Sequence, residues 1–234
     1  MSENKILLSI IVPLYNEENT ILKVLKKLSK LKETHNNIQI IVINDGSKDS
    51  SQNILDNNSS LYDDLVTNPT NQGKGNAVKK GLLLVKGEYI TFQDADLEYD
   101  PIEFIKFIKL IYSFSPDLII GSRLNFADYS RSHNIFNKYG NQFITFMFNI
   151  LYNTTFTDIY SCYACFKKKL LDNEIIKTDG FEQHAEILCK VVKNGKIFYE
   201  VPINYNGRSH EEGKKIKFYH IFAVIYQILV GRIK

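Results

Sequence analysis

Apolar and polar positions alternate in blocks along the first half of the chain. Residues 6–12 and 38–43 are apolar runs of strand length, and between them residues 17–32 carry Ile21, Leu22, Leu25 and Leu28 at helical spacing with lysines interspersed. The pattern predicts β-α-β followed by a polar turn at Asp45-Gly46-Ser47. It continues with a helix over 74–85, a strand over 89–92, a helix over 101–113 and a strand over 117–120. Strands alternating with helices predict an α/β fold with a mostly parallel central sheet and helices on both faces. Ligands of such sheets bind beyond the carboxyl ends of the strands, so the strand exits are the places to search: residues 13–17, 44–47 and 93–96.

From about Arg123 the alternation stops. A polar loop to His133 leads into a helix over 134–152, in which Phe143, Phe146, Met147 and Ile150 line one face while Ile144, Phe148 and Leu151 widen it beyond a normal stripe. Extended cysteine-containing residues, a helix over 181–193, a strand over 196–201, a loop rich in Gly, Arg and Lys and an amphipathic last helix complete the chain. The polar tract 57–60 reads as a loop.

With 234 residues and 44% hydrophobic positions, one α/β domain with a short appendage is expected, ordered nearly throughout. The net charge of +3 sits in the tail, where Arg208, Lys214, Lys215, Lys217, Arg232 and Lys234 face only Glu211 and Glu212. A cationic terminal segment suits phosphates or an anionic membrane surface; nucleic-acid binding would require a broader basic face. Cys162, Cys165 and Cys189 cannot all pair and the N-terminal residues lack a secretory leader, so a cytoplasmic location is expected, with peripheral contact on the membrane face. The longest apolar stretch, 218–230, is interrupted by His220 and Gln227 and falls short of the roughly 18 residues a spanning helix needs.

Several polar clusters carry candidate chemistry, each with a plainer alternative. Asp94 and Asp96 are one residue apart; in an extended chain both carboxylates address one Mg²⁺ or Mn²⁺ that also takes diphosphate oxygens, whereas a polar turn capping the helix near Pro101 explains them equally well. Asp45 either projects toward a nucleobase or ribose, or belongs to a turn with an N-cap at Ser47 or Asp49. Residues 71–76 open a helix with Gly73 and Gly75, which suits an anion or simply a tight turn. A metal or redox role for Cys162 and Cys165 lacks a second Cys pair, and packing accounts for His184 and Cys189.

Taken together, IIVPLYNEE, INDGSKDSS, NQGKGNAVKKG, QDADLEYDP, the GSR of residues 121–123 and EVPINYNGRSHEEGKKI resemble family 2 glycosyltransferases, in the branch of the dolichol-phosphate mannose synthases, over nearly the whole chain. The resemblance implies a GT-A nucleotide-diphospho-sugar transferase fold and inversion at the anomeric carbon. Residues 1–207 would form the catalytic domain, with a nucleotide-binding half to residue 122 and an acceptor half from 123, and residues 208–234 a basic loop and amphipathic helix. It implies that Pro13, Tyr15, Glu17 and Asp45 form the nucleoside pocket, Asp94 and Asp96 hold the metal with Gln93 beside them, and Lys74 lies near the donor. Arg123 resembles the contact to an acceptor phosphate, and Arg208 and Lys215 the groups that close over the donor diphosphate.

Two departures stand out. Most members of the family carry Asp-Asp-Gly-Ser where this chain has Asn44-Asp45-Gly46-Ser47, which bears on nucleotide preference. Many relatives continue into transmembrane helices, so a lipid substrate would here be met at the interface. The reaction implied is transfer of a hexosyl unit from a GDP- or UDP-sugar to a polyprenyl phosphate. The alternative is transfer to a sugar hydroxyl in glycan assembly, with Asp158, Glu182 or Glu186 as the base. A catalytically silent binding subunit would not need Asp94, Asp96, Arg123 and Arg208 together.

Overall fold

The computed structural model describes residues 6–124, 131, 135–171, 176–208 and 220–233. Seven strands form one sheet: β1 (Leu8–Leu14), β2 (Ile38–Asn44), β3 (Asp64–Thr67), β4 (Tyr89–Phe92), β5 (Leu118–Ser122), β6 (Ala164–Lys167) and β7 (Phe198–Pro202), in the order β3-β2-β1-β4-β6-β5-β7. Every ladder is parallel except those of β6, which runs antiparallel between β4 and β5. The two halves expected on either side of residue 122 therefore share one sheet, with β6 and β7 flanking β5.

Side-chain alternation divides the strands between two cores. Leu8, Ile10 and Val12 of β1 and Ile38, Ile40 and Val42 of β2 pack under α1 (Ile21–Thr34) and α4 (Phe104–Phe114). Ile11, Ile41 and Ile43 face the other way, toward α3 (Lys74–Leu82), and that core continues through α5 (Ile135–Tyr152), α6 (Gln183–Asn194) and α7 (His220–Ile233). The chain moves from β1 outward through β2 and β3, then returns to place β4 on the other side of β1. The carboxyl ends of β1 and β4 thus flank a topological switch point, the position where such sheets hold ligands.

Element boundaries match the hydrophobic pattern to within a few residues. Two elements had no signal in it: α2 (Ser51–Asp56) and edge strand β3, both short and only partly buried. The stretch at residue 101 opens with a 3-10 turn before α4, and Asp100, rather than Asp94 or Asp96, caps it by accepting from the Ile102 amide at 3.1 Å.

The inward faces of α5 and α7 differ from expectation. In α5, Ile144 and Phe148 are buried against the sheet, while Phe143, Phe146 and Ile150 point outward with Ile135 and Tyr139. Helix α7, whose spacing predicts one apolar face with Phe218, Ile221, Phe222, Ile225, Ile228 and Leu229, buries Val224 and Ile228 against its neighbours and exposes Phe222, Tyr226, Leu229 and Ile233, while Phe218 lies outside the described residues. Gly231 brings α7 close: a Cβ there would lie 2.8 Å from the Cys189 Cβ. Both helices are apolar around most of their circumference, and spacing cannot say which side meets the core. Replacing Phe148, 0% exposed, with Ala should cost about 3–5 kcal/mol in denaturant unfolding, and replacing Phe143, 57% exposed, should cost less than about 1 kcal/mol.

Candidate active site

The site is built on the turn that follows β4. The chain does not stay extended here: Leu97 adopts φ of 62°, and Asp96 accepts the Glu98 amide at 3.0 Å. The turn is held from below by Gln93, which is fully buried. Its amide donates to the carbonyls of Asp94 at 2.9 Å and Tyr99 at 3.3 Å, and its oxygen accepts the Tyr163 hydroxyl at 2.5 Å. Expected beside the metal and the donor, Gln93 has its side chain turned into the protein. Strand alternation sends it inward, where it shapes the loop that carries Asp94 and Asp96.

Each of these two carboxylates meets a cation of the chain itself. Lys74, the first residue of α3, places Nζ 2.5 Å from Asp94 Oδ1. Burial alone would push the Asp94 carboxyl up, but the Lys74 ammonium holds it below the usual carboxylate range. Arg208 reaches across from the segment after β7. Its Nη2 lies 3.1 Å from Asp96 Oδ2 and 3.0 Å from Glu17 Oε1, its Nη1 lies 3.1 Å from Glu17 Oε2, and its backbone amide donates to Glu98 Oε1 at 2.8 Å. Burial and the neighbouring charges of Asp94 and Glu98 push Asp96 up to about 7 despite Arg208. Asp94 and Asp96 are thus carried on a turn, not on an extended strand.

Two hard carboxylates beside a cationic cradle fit a divalent ion that draws its remaining ligands from a diphosphate, as Mg²⁺ and Mn²⁺ commonly do. Among the described residues no group of three or more His, Cys, Asp and Glu is arranged to hold a metal on its own. The three cysteines are free thiols, and Cys165 is buried in the core beneath α1 and α4, apart from any such set.

The other strand exits complete the rim. Pro13 and Tyr15 are half-buried at the end of β1, next to buried Glu17. Asp45, at the end of β2, spends its carboxylate on the chain: it accepts from Asn68 Nδ2 at 2.6 Å, from the Gln72 amide at 3.0 Å and from the Gly73 amide at 2.8 Å. It therefore fixes the loop that opens α3. Gly73 at φ of 95° is needed there, since a Cβ would lie 2.6 Å from the Asp179 carbonyl oxygen. Asn44 is buried, with its amide on Gln52 at 2.7 Å and its oxygen taking the Ser47 amide at 3.0 Å, so the family departure is an internal loop contact. Asp49, not Ser47, serves the start of α2, accepting the Ser51 amide at 3.0 Å.

Arg123 stands just after β5. Its Nε and Nη2 meet Asp158 at 2.7 and 2.8 Å, and its Cζ lies 5.1 Å from the centre of the Tyr205 ring. The carboxylates considered as bases are engaged as well. Asp158 holds Arg123, Glu186 receives the amides of Lys177 and Thr178 at 3.0 Å, and Glu182 takes the Gly180 amide at 3.3 Å. Lys215 lies outside the described residues.

Three residues had escaped sequence reasoning. Glu98 links the Asp96 turn to the Arg208 segment, also accepting the Tyr205 hydroxyl at 2.7 Å. Tyr205 supports Arg123, and Arg131 binds the same segment through Gly207 O at 3.0 Å. The sole available signal for Glu98 was its place two residues after Asp96.

Solved structures share this architecture. Glucosyl-3-phosphoglycerate synthase from Mycobacterium tuberculosis, in complex with Mn²⁺, uridine diphosphate and phosphoglyceric acid, superposes with a TM-score of 0.72 at 17% identity over 97% of this chain and 78% of that one. S. aureus TarS in complex with UDP-GlcNAc gives 0.65 at 17% identity, over 96% of this chain and 66% of that one. The fold is therefore GT-A.

Residues 9–174 match the model of glycosyl transferase family 2, and the chain belongs to that family of glycosyltransferases. Among curated relatives, a UDP-N-acetylglucosamine–dolichyl-phosphate N-acetylglucosaminyltransferase from Methanococcus voltae is 28% identical over 97% of this chain and 98% of its own length. A low-salt glycan biosynthesis hexosyltransferase from Haloferax volcanii is 26% identical over 87% of this chain. The chain spans about half the length of that protein and of a Methanocaldococcus jannaschii relative, 49% and 50% respectively.

Beneath the site, His184 donates Nε2–H to the Ile159 carbonyl at 3.1 Å, and burial depresses its pKa from 6.5 to about 4. A folded-state value below the unfolded one means its contribution to stability is complete above pH 6.5 and is lost as pH falls toward 4. His184→Gln should flatten the stability profile in that window, where one group contributes at most about 1.4 kcal/mol per pH unit, as read by urea unfolding at successive pH values.

Proposed function

We propose that the chain transfers a hexosyl unit, with inversion, from a nucleotide-diphosphate sugar to a polyprenyl phosphate. Pro13, Tyr15, Glu17 and Asp45 form the nucleoside side of the pocket, Lys74 and Arg208 the cationic side, and Arg123 receives the acceptor phosphate. Lys215 would join Arg208 over the donor. UDP is the favoured nucleotide, in line with the Methanococcus relative, with GDP as the alternative.

A Mg²⁺ or Mn²⁺ ion held by Asp94 and Asp96 would neutralise charge that grows on the departing diphosphate. Lys74 and Arg208, which pair with these carboxylates, would lie beside the same phosphates and offset part of their charge. The Arg123 guanidinium orients the acceptor phosphate for in-line attack.

The observation that carries this reading is the state of the groups facing the acceptor side. Arg123 is a fixed cation, while Asp158, Glu182 and Glu186 each already bind a partner in the chain. A hydroxyl acceptor needs a base, whereas a phosphate monoester with a second pKa of about 6 is already largely ionised near neutral pH. Transfer to a sugar hydroxyl, which the name of the Haloferax relative would favour, is the competing outcome.

Purified chain incubated with UDP- and GDP-hexoses, Mn²⁺ or Mg²⁺ and short polyprenyl phosphates should yield a lipid-linked sugar detectable by mass spectrometry. Asp96→Ala should lower turnover roughly 10²-fold or more with the fold intact, and Arg123→Lys should raise the acceptor KM while leaving nucleotide affinity unchanged. Product from hydroxyl acceptors alone would replace this reading with the competing one.

The lipid acceptor also fits the outward faces of α5 and α7, where Tyr139, Phe143, Phe146, Tyr226, Leu229 and Ile233 are exposed. No helix among the described residues is long and apolar enough to cross a membrane. These faces instead lie on the lipid interface, helped by the basic residues of 208–234. The chain should cosediment with anionic vesicles at low salt, release as salt is raised, and bind more weakly after Phe143→Ser and Tyr226→Ser; absence of binding at low salt would refute peripheral contact.

A further inference from the structure

We infer that Asp158 and Asn141 are positioning residues for Arg123, and that Asn141 ties the aim of this cation to helix α5. The inference rests on the reading that Arg123 receives the acceptor phosphate. An arginine has many rotamers, and one that must meet a phosphate in a fixed direction needs its guanidinium held by something else.

Asp158 supplies that hold. Its side chain is fully buried, and it takes three donors from the same residue: Arg123 Nε at 2.7 Å, Nη2 at 2.8 Å and the Arg123 backbone amide at 3.0 Å. Backbone and guanidinium are thereby referenced to one carboxylate. Tyr205 sets the plane of the group from one side. Asp158 is itself anchored, since its amide and that of Thr157 donate to Glu200 on β7 at 3.2 and 2.9 Å. The Arg123 edge that remains, Nη1, has no hydrogen-bond partner among the described residues.

Asn141 completes the arrangement from α5. Its Nδ2 donates to Asp158 Oδ1 at 2.7 Å, and because a carboxylate only accepts, the amide can face only this way. The consequence is a buried Oδ1 with no partner among the described residues. A desolvated acceptor without a donor is a cost that Leu at this position would avoid, so what the amide contributes here is the Nδ2 contact to Asp158. The helix that provides it exposes Tyr139, Phe143 and Phe146 on its outer side, so whatever seats α5 also bears on Asp158 and, through it, on Arg123.

The test is steady-state kinetics with a short polyprenyl phosphate, alongside UDP affinity by calorimetry with Mn²⁺ and a thermal melt for each variant. Asn141→Leu should raise the acceptor KM about tenfold with kcat and UDP affinity within about twofold of the parent and no fall in Tm; Asp158→Asn should lose more of kcat/KM. Asn141→Ala is judged on the same acceptor KM if the leucine variant does not fold. An unchanged acceptor KM in the Asn141 variant, or a loss of UDP affinity and Tm in step with activity, overturns the inference. Arg123→Lys separates the two levels: if it leaves acceptor dependence unchanged, the assignment of Arg123 itself is wrong, whereas a defect in Arg123→Lys without one in Asn141→Leu rejects only the positioning role.

Discussion

Compensation of negative charge at the carboxyl ends of β1 and β4 is the constraint on which the site depends. Glu17, Asp94, Asp96 and Glu98 gather there, largely removed from water, and Lys74 and Arg208 are the cations that make this tolerable. Because Arg208 bonds both Glu17 and Asp96, it joins three remote parts of the sequence into one cluster. The same contacts leave the carboxylates of Asp94 and Asp96 each paired with a cation of the protein, so binding of a metal ion there would be an exchange of partners and not the filling of a void. Such an exchange keeps buried charges paired before and after binding, which limits the desolvation cost of each state.

The sheet order makes this gathering possible. Returning the chain from β3 to the far side of β1 opens the crevice at which Glu17 and the Asp96 turn meet, while β6 and β7 extend the sheet to bring Asp158, Tyr205 and Arg208 to the same edge. Much of the surrounding polar chemistry is support. Gln93 and Asp45 hold loops, Asn44 braces a turn, and Glu186 fixes residues 177 and 178.

How much of this could be read from the amino-acid sequence varied with the physics behind each signal. Long buried strands such as β1 and β2 and helix α1 were legible because burial imposes a clear period. The short elements α2 and β3 were not, since neither buries enough apolar surface to mark the sequence. In α5 and α7, apolar residues surround the axis, and the choice of Phe148 over Phe143 for the core was made by packing against neighbours far along the chain. The polar clusters at the strand exits were visible as positions, but what each side chain does depends on partners far along the chain. Asp94 and Asp96 were visible as a pair, whereas nothing local announced that Gln93 points inward, that Glu98 bridges to Tyr205, or that Asp158 would be spent on Arg123.

The antiparallel strand β6 has a consequence for how the molecule assembles. Strands β1 to β4 lie within the first 92 residues and can pair through local β-α-β units, but β4 remains an open edge until residues 164–167 arrive to cover it. The register Ile90↔Phe166 closes a loop of more than 70 residues, a contact that is entropically slow to form. During synthesis the apolar edge Tyr89–Phe92 therefore emerges well before its permanent neighbour, and that interval is when unwanted pairing with another chain is easiest. Insertion of β6 is thus the step that both seals the sheet and brings the Arg123 end of β5 alongside the rest of the site, because in the strand order β5 and β7 join β4 through it.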